Sequence, residues 1–208
     1  STLDRSSAAS DVYKRQHWTW PGREGEVTPV FVYTNYPTAE LFINGKSYGK
    51  QSKNNSSLKN RYRLMWMDTK YEPGEVKVVA YDKNGKAVAE KVVRTAGKPH
   101  HIELVSNRNE LTADGKDLAY VTVKVVDKDG NLCPADNRQI NFSVKGTGKY
   151  RAAANGDPTN LEQFHLPKMH AFNGMLTAIL QAGETAGEIV FTVKANGVKA
   201  GNIRIQTK

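Results

Sequence analysis

Cysteine is nearly absent from this chain. Cys133 is the only one in 208 residues, so no disulfide can form within the chain, and apolar burial and hydrogen bonds must hold the fold. A lone thiol can act as a nucleophile only with a base beside it. The flanking Leu132 and Pro134 supply none, so Cys133 reads as a half-buried loop thiol. Long apolar runs are also missing: none approaches the roughly 18 residues of a membrane helix, and no membrane partner is expected. Helical periodicity is missing too, since no stretch of about ten residues repeats its apolar side chains at 3.6 spacing. So is any glycine-rich strand-to-helix junction that could cradle a phosphate. The net charge is +9, yet lysine and arginine fall singly or in pairs, without the runs of about five to eight that mark nucleic-acid binders. The charge reads as a solvated basic surface, and no nucleic-acid partner is expected.

What is present is period-two alternation, broken by turn residues. In AELFI (39–43), Leu41 and Ile43 point to one face and Glu40 and Phe42 to the other. Asn44-Gly45 follows, the dipeptide that best tolerates positive φ at both positions of a tight hairpin turn. After a polar loop at 51–60, RYRLMWMD (61–68) sets Tyr62, Leu64 and Trp66 against Arg61, Arg63, Met65 and Met67. EVKVVAYD (75–82) and AVAEKVVRT (87–95) flank the turn Lys83-Asn84-Gly85-Lys86. Ala96-Gly97-Lys98-Pro99 then breaks the ladder and marks a boundary. Beyond it the rhythm resumes: HIELVS (101–106), a loop at 107–117, LAYVTVKVVD (118–127) with Val121, Val123 and Val125 on one face, QINFSVKG (139–146), EIVFTVKA (188–195) and a closing hairpin through Asn196-Gly197. Short strands at this spacing predict an all-β protein of two tandem immunoglobulin-like β-sandwiches, residues 17–97 and 98–208.

Residues 1–16 (STLDRSSAASDVYKRQ) show no periodicity and no apolar signal-peptide core. Their end, DVYKRQ, is similar to a translated transposon-end sequencing adapter. The expectation is an artefactual or disordered leader, to be set aside in fold reasoning.

The stretch HWTWPGREGEVTPVFVYTNYPTAELFINGKSYG (17–49) resembles the segment that follows the catalytic barrel in β-galactosidase-like enzymes of glycoside hydrolase family 2, with Thr19 where Asn is expected. The series LTADGKD…VTVKVVDKDGN…NFSVKGTG resembles a bacterial immunoglobulin-like module of the invasin type, and also the last domain of the same enzymes. The resemblance implies a non-catalytic C-terminal portion of such an enzyme, with the catalytic barrel as partner and a periplasmic or extracellular location. It implies no catalytic residue here, because both catalytic glutamates of the family sit on a (β/α)₈ barrel of about 250 residues. No cofactor and no metal is expected. The alternative is a free-standing carbohydrate-binding or adhesin-like module.

Two stretches are candidates for contact with sugar. In HWTW, the aromatic faces of Trp18 and Trp20 could stack on a pyranose and His17 could donate to a hydroxyl; the competing role is packing at a domain face. The excursion at 154–175 is too long for an idle loop in a compact sandwich. It offers Asn155, Asp157 and His170 as hydroxyl partners and His165 beside them, while Phe164, Leu166 and Phe172 are expected to fold it onto the sheet. Asp127-Lys128-Asp129-Gly130-Asn131 starts like a calcium loop, but its twelfth residue is Arg138, so it is expected to be a turn.

Overall fold

The computed structural model describes residues 17–54 and 63–208, which form strands and turns and no helix. The expected leader at 1–16, and residues 55–62 with Arg61 and Tyr62, lie outside the described residues. The chain divides into two compact units, one ending at Thr95 and one spanning Ala96–Lys208.

The first unit holds β1 (Val30–Tyr33), β2 (Thr38–Ile43), β3 (Lys46–Ser52), β4 (Arg63–Trp66), β5 (Glu75–Tyr81) and β6 (Ala87–Arg94). An antiparallel sheet of order β3-β2-β5-β6 faces a two-stranded sheet of β1 and β4. Alternation decides what is buried. Leu41 and Ile43 from β2 and Val76 and Val78 from β5 meet Val30 and Val32 from β1 and Leu64 and Trp66 from β4. Each such side chain contributes about 1.5–3 kcal/mol when fully buried. The β2–β3 turn has φ of 50° at Asn44 and 79° at Gly45. Asn44 does more than tolerate the turn: its side chain accepts from the Glu75 amide at 2.8 Å and donates to the Pro73 carbonyl at 3.1 Å. Gly74 must be glycine for the same reason, because a Cβ there would lie 1.9 Å from Asn44 Oδ1. The polar loop expected from residue 51 starts later, since Gln51 and Ser52 still pair with Ala39 and Thr38.

The second unit holds β7 (His101–Ser106), β8 (Glu110–Leu111), β9 (Leu118–Val126), β10 (Gln139–Gly146), β11 (Gly148–Ala154), β12 (Lys168–His170), β13 (Met175–Ala182), β14 (Gly187–Ala195) and β15 (Gly201–Thr207). A four-stranded sheet, β11-β13-β9-β7, stacks on a five-stranded one, β12-β10-β14-β15-β8. Val121, Val123 and Val125 fill the core with Leu176, Ala178 and Leu180 from β13 and Ile189, Phe191 and Val193 from β14. Two short strands were not expected. β8 lies in the 107–117 loop and pairs parallel with β15, anchored by buried Leu111. β12 pairs with β10 through Ile140 and Met169. Segments of two or three residues are too short to show alternation. The excursion after β11 is therefore a crossover, in which residues 155–167 carry the chain from the edge of one sheet to the edge of the other.

Candidate functional site

In the first unit the entry segment places Trp18 in the core, 1% exposed. Its indole Nε1 donates to the Glu72 carbonyl at 2.8 Å, its ring meets Tyr71 edge-on at 5.3 Å, and its carbonyl accepts from the Thr95 hydroxyl at 2.5 Å. That ring is a packing anchor with no open face. Trp20 packs half-buried against the same core, beside half-buried His17, their rings 4.4 Å apart and tilted by 47°. The Arg23 guanidinium sits 5.7 Å from the Trp20 ring centre and is itself paired with Glu26 at 2.8 Å. His17, Trp20 and Arg23 thus form a cluster at the edge of that core, with His17 Nδ1 and Trp20 Nε1 both buried.

In the second unit the excursion folds around its own polar groups. Asn155 donates from Nδ2 to the His170 carbonyl at 3.0 Å, and its Oδ1 accepts from the Asp157 amide at 3.0 Å. Asp157 Oδ1 accepts from the Thr159 amide and hydroxyl at 2.8 and 2.7 Å. Glu162, which no sequence pattern singled out, ties the loop shut. It contacts His170 Nδ1 at 2.7 Å and accepts from the His170 amide at 3.0 Å. Burial pushes the Glu162 carboxyl up, but these bonds outweigh it and hold the group below the ordinary carboxylate range. The structure thus brings Asn155, Asp157 and His170 together. His165 stands outside this network, exposed, edge-on to the Phe164 ring.

The expectation that Phe164, Leu166 and Phe172 fold the loop onto the sheet is wrong. Phe164 is 63% exposed, Leu166 and Phe172 are also exposed, and Leu161 is 96% exposed. Backbone groups and the Tyr150 and Glu162 side chains do the holding. The Phe164 carbonyl accepts from the Ala153 amide at 2.9 Å and the Tyr150 hydroxyl at 2.8 Å, and the Pro167 carbonyl accepts from Phe142. Burial pushes the Tyr150 phenol up to about 12, which keeps it a donor. Met169 alone among the loop's large apolar side chains turns inward.

Asp127 starts the turn expected at Asp127–Asn131. It is buried, and accepts from the amides of Gly97, Asp129 and Asn131 at 2.8–2.9 Å and from Asn131 Nδ2 at 3.1 Å. Burial raises its pKa and the four donors win, leaving it lowered. It organises the Lys128–Asn131 turn. Among the described residues no group of three or more His, Cys, Asp or Glu side chains could hold a metal ion, and no helix is long and apolar enough to cross a membrane.

Comparison with known proteins fits this architecture. Residues 102–204 match glycoside hydrolase family 2 C-terminal domain 5, and residues 25–89 match a domain of unknown function, DUF4982. The chain is 40% identical over 193 residues to the β-galactosidase BoGH2A of Bacteroides ovatus, covering 92% of this chain and 22% of that protein. It is 27% identical to a β-galactosidase of Thermoanaerobacter pseudethanolicus, covering 86% of this chain and 24% of that one. A solved family 2 glycosyl hydrolase from Bacteroides cellulosilyticus superposes with a TM-score of 0.84 at 34% identity, over 93% of this chain and 24% of its own. A β-glycosidase from Bacteroides vulgatus gives 0.84 at 30% identity, over 91% and 24%. The chain therefore spans about a quarter of the length of the relatives it matches.

Proposed function

Since this chain belongs to the C-terminal β-sandwich portion of glycoside hydrolase family 2, we propose that it acts as a non-catalytic support for the catalytic barrel of a β-galactosidase-like enzyme. The observation that carries this reading is the outward-facing apolar tip of the 155–167 loop. A solvent-facing Leu161 and Phe164 on a loop held by backbone bonds, the Tyr150 hydroxyl and the Glu162–His170 pair is what a contact surface for another domain looks like. The parent enzyme would hydrolyse O-glycosidic bonds with residues that this chain does not contain. As sugar contacts of the parent enzyme we assign, each within its own unit, His17 and Trp20 in the first and Asn155, Asp157 and His170 in the second. Trp18 is not among them, because its ring is buried. We extend the reading to an exported enzyme, periplasmic or extracellular, as the family resemblance implies.

The test is a graft. The matched C-terminal segment of the Bacteroides ovatus relative is deleted, and this chain is fused in its place. The truncated enzyme should lose thermal stability and turnover of an aryl β-galactoside, and the graft should restore both. A graft carrying Leu161→Asp and Phe164→Asp should not, although the same changes shift the stability of the isolated chain by only about 0.5 kcal/mol because the side chains are exposed. Equal rescue by both grafts would refute the docking role of the loop.

A further inference from the structure

Consecutive residues along a strand point to opposite faces. His100 and His101 do not: their Nδ1 atoms are 2.9 Å apart, with ring planes at 90° and centroids 5.1 Å apart. His101 opens β7 and His100 lies one residue before it, where alternation does not bind the side chain. The backbone beneath the pair is pinned from two sides. The His100 amide donates to the Val126 carbonyl at 2.8 Å, and the His100 carbonyl accepts from the Lys199 amide at 2.9 Å. His101 pairs with Val126 and bridges to Lys199. Both rings are half-buried, so part of their ordering is already met by the fold.

We propose that His100 and His101 form a two-imidazole chelate for a divalent transition-metal ion that favours tetragonal geometry, Cu²⁺ or Ni²⁺. Two nitrogens 2.9 Å apart, each about 2.0–2.1 Å from a shared ion, subtend an angle of about 90° at the ion. That is the bite of neighbouring ligands in a square-planar or tetragonal site, and it is narrower than the tetrahedral angle of structural zinc. Imidazole is a ligand that copper and nickel accept readily, whereas calcium and magnesium want oxygen. The 2.9 Å contact has one Nδ1–H donating to the other Nδ1. Binding moves that proton to Nε2 of the same ring and turns both rings about their side-chain bonds, so that the two Nδ1 lone pairs converge on the ion. Water fills the remaining positions, since no third His, Cys, Asp or Glu among the described residues completes a cluster. Asp127, which follows the strand partner of His101, is committed to the Gly97, Asp129 and Asn131 donors.

The experiment uses the tag-free chain, titrated with Cu²⁺ and Ni²⁺ by calorimetry, with Ca²⁺ and Mg²⁺ as controls. One high-affinity Cu²⁺ per chain is expected, with an electron paramagnetic resonance spectrum showing hyperfine coupling to two nitrogens. Because the second imidazole acts at high effective concentration, His100→Ala or His101→Ala should weaken Cu²⁺ binding on the order of 100-fold. His17→Ala, His165→Ala and His170→Ala should leave it unchanged. Circular-dichroism melts check that each variant folds, and the wild-type spectrum stands without any variant. A failure of the tag-free chain to bind Cu²⁺ or Ni²⁺, a single-nitrogen spectrum, or undiminished affinity in folded His100→Ala and His101→Ala would each overturn the proposal.

Discussion

Replacing Trp18 with alanine separates a packing role from a sugar-binding role. The side chain is 1% exposed, packs on Tyr71, and donates to the Glu72 carbonyl at 2.8 Å. Truncating a buried tryptophan costs about 3–5 kcal/mol, and the orphaned carbonyl adds about 1 kcal/mol. A loss of about 4–6 kcal/mol is most of the stability of a small domain. Trp18→Phe keeps the ring contact with Tyr71 and should cost far less, about 1–2 kcal/mol. The assay is urea unfolding followed by tryptophan fluorescence. All three tryptophans, Trp18, Trp20 and Trp66, lie in the first unit, so the signal reports on that unit alone. At about 1 kcal/mol per molar in urea, the alanine variant should unfold several molar earlier than the parent. A shift worth less than about 1 kcal/mol with an unchanged slope would refute the core assignment and make Trp18 a surface aromatic again.

Other outcomes follow from the same geometry. The Asp117 carboxylate is held down to about 2 by the Arg108 guanidinium first and the Thr112 amide second, from an ordinary 3.8. A depressed pKa means that the stabilisation is full above the ordinary value and fades as pH falls towards 2. The melting gap between wild type and Asp117→Asn should therefore close between about pH 4 and pH 2, and a gap constant across that window would contradict it. Cys133 is buried and its thiol is pushed up to about 11, chiefly by burial, so a thiol reagent at pH 8 should label it only after denaturant is added. Asn44→Ala removes two side-chain bonds and forces alanine to a φ of 50°, for an expected loss of about 2 kcal/mol by the same fluorescence titration. Glu162→Gln should raise hydrogen exchange at the His170 amide while leaving the amides of Val121 and Val123 protected, since only the loop closure depends on that carboxylate.

Most of the strand framework was legible because its burial follows period two. Leu41, Ile43, Leu64, Trp66 and Val121, Val123 and Val125 of β9 all face the side that alternation assigns them. The Asn44-Gly45 hairpin was legible from turn chemistry, although the two bonds from the Asn44 side chain were not. What failed was short or non-local. β8 and β12 are too brief to show a period, and their pairing partners are distant in the chain. The apolar residues of the 155–167 loop misled because apolar composition does not say which way a side chain faces when backbone bonds already hold the loop. Glu162 escaped notice for a similar reason: a contact with His170 across a loop leaves no spacing to read. Nor could His100 and His101 be seen as a pair, because strand alternation predicts that neighbours diverge. Trp18 and Trp20, two residues apart, looked equivalent in sequence and differ in burial.

The most direct measurement is turnover of an aryl β-galactoside by the purified chain alone. Two stacked-sheet units without the barrel's paired glutamates should release no aglycone above the no-protein control, at any protein concentration. Hydrolysis that scales with chain concentration and disappears on mutating a carboxylate in this chain would contradict the account.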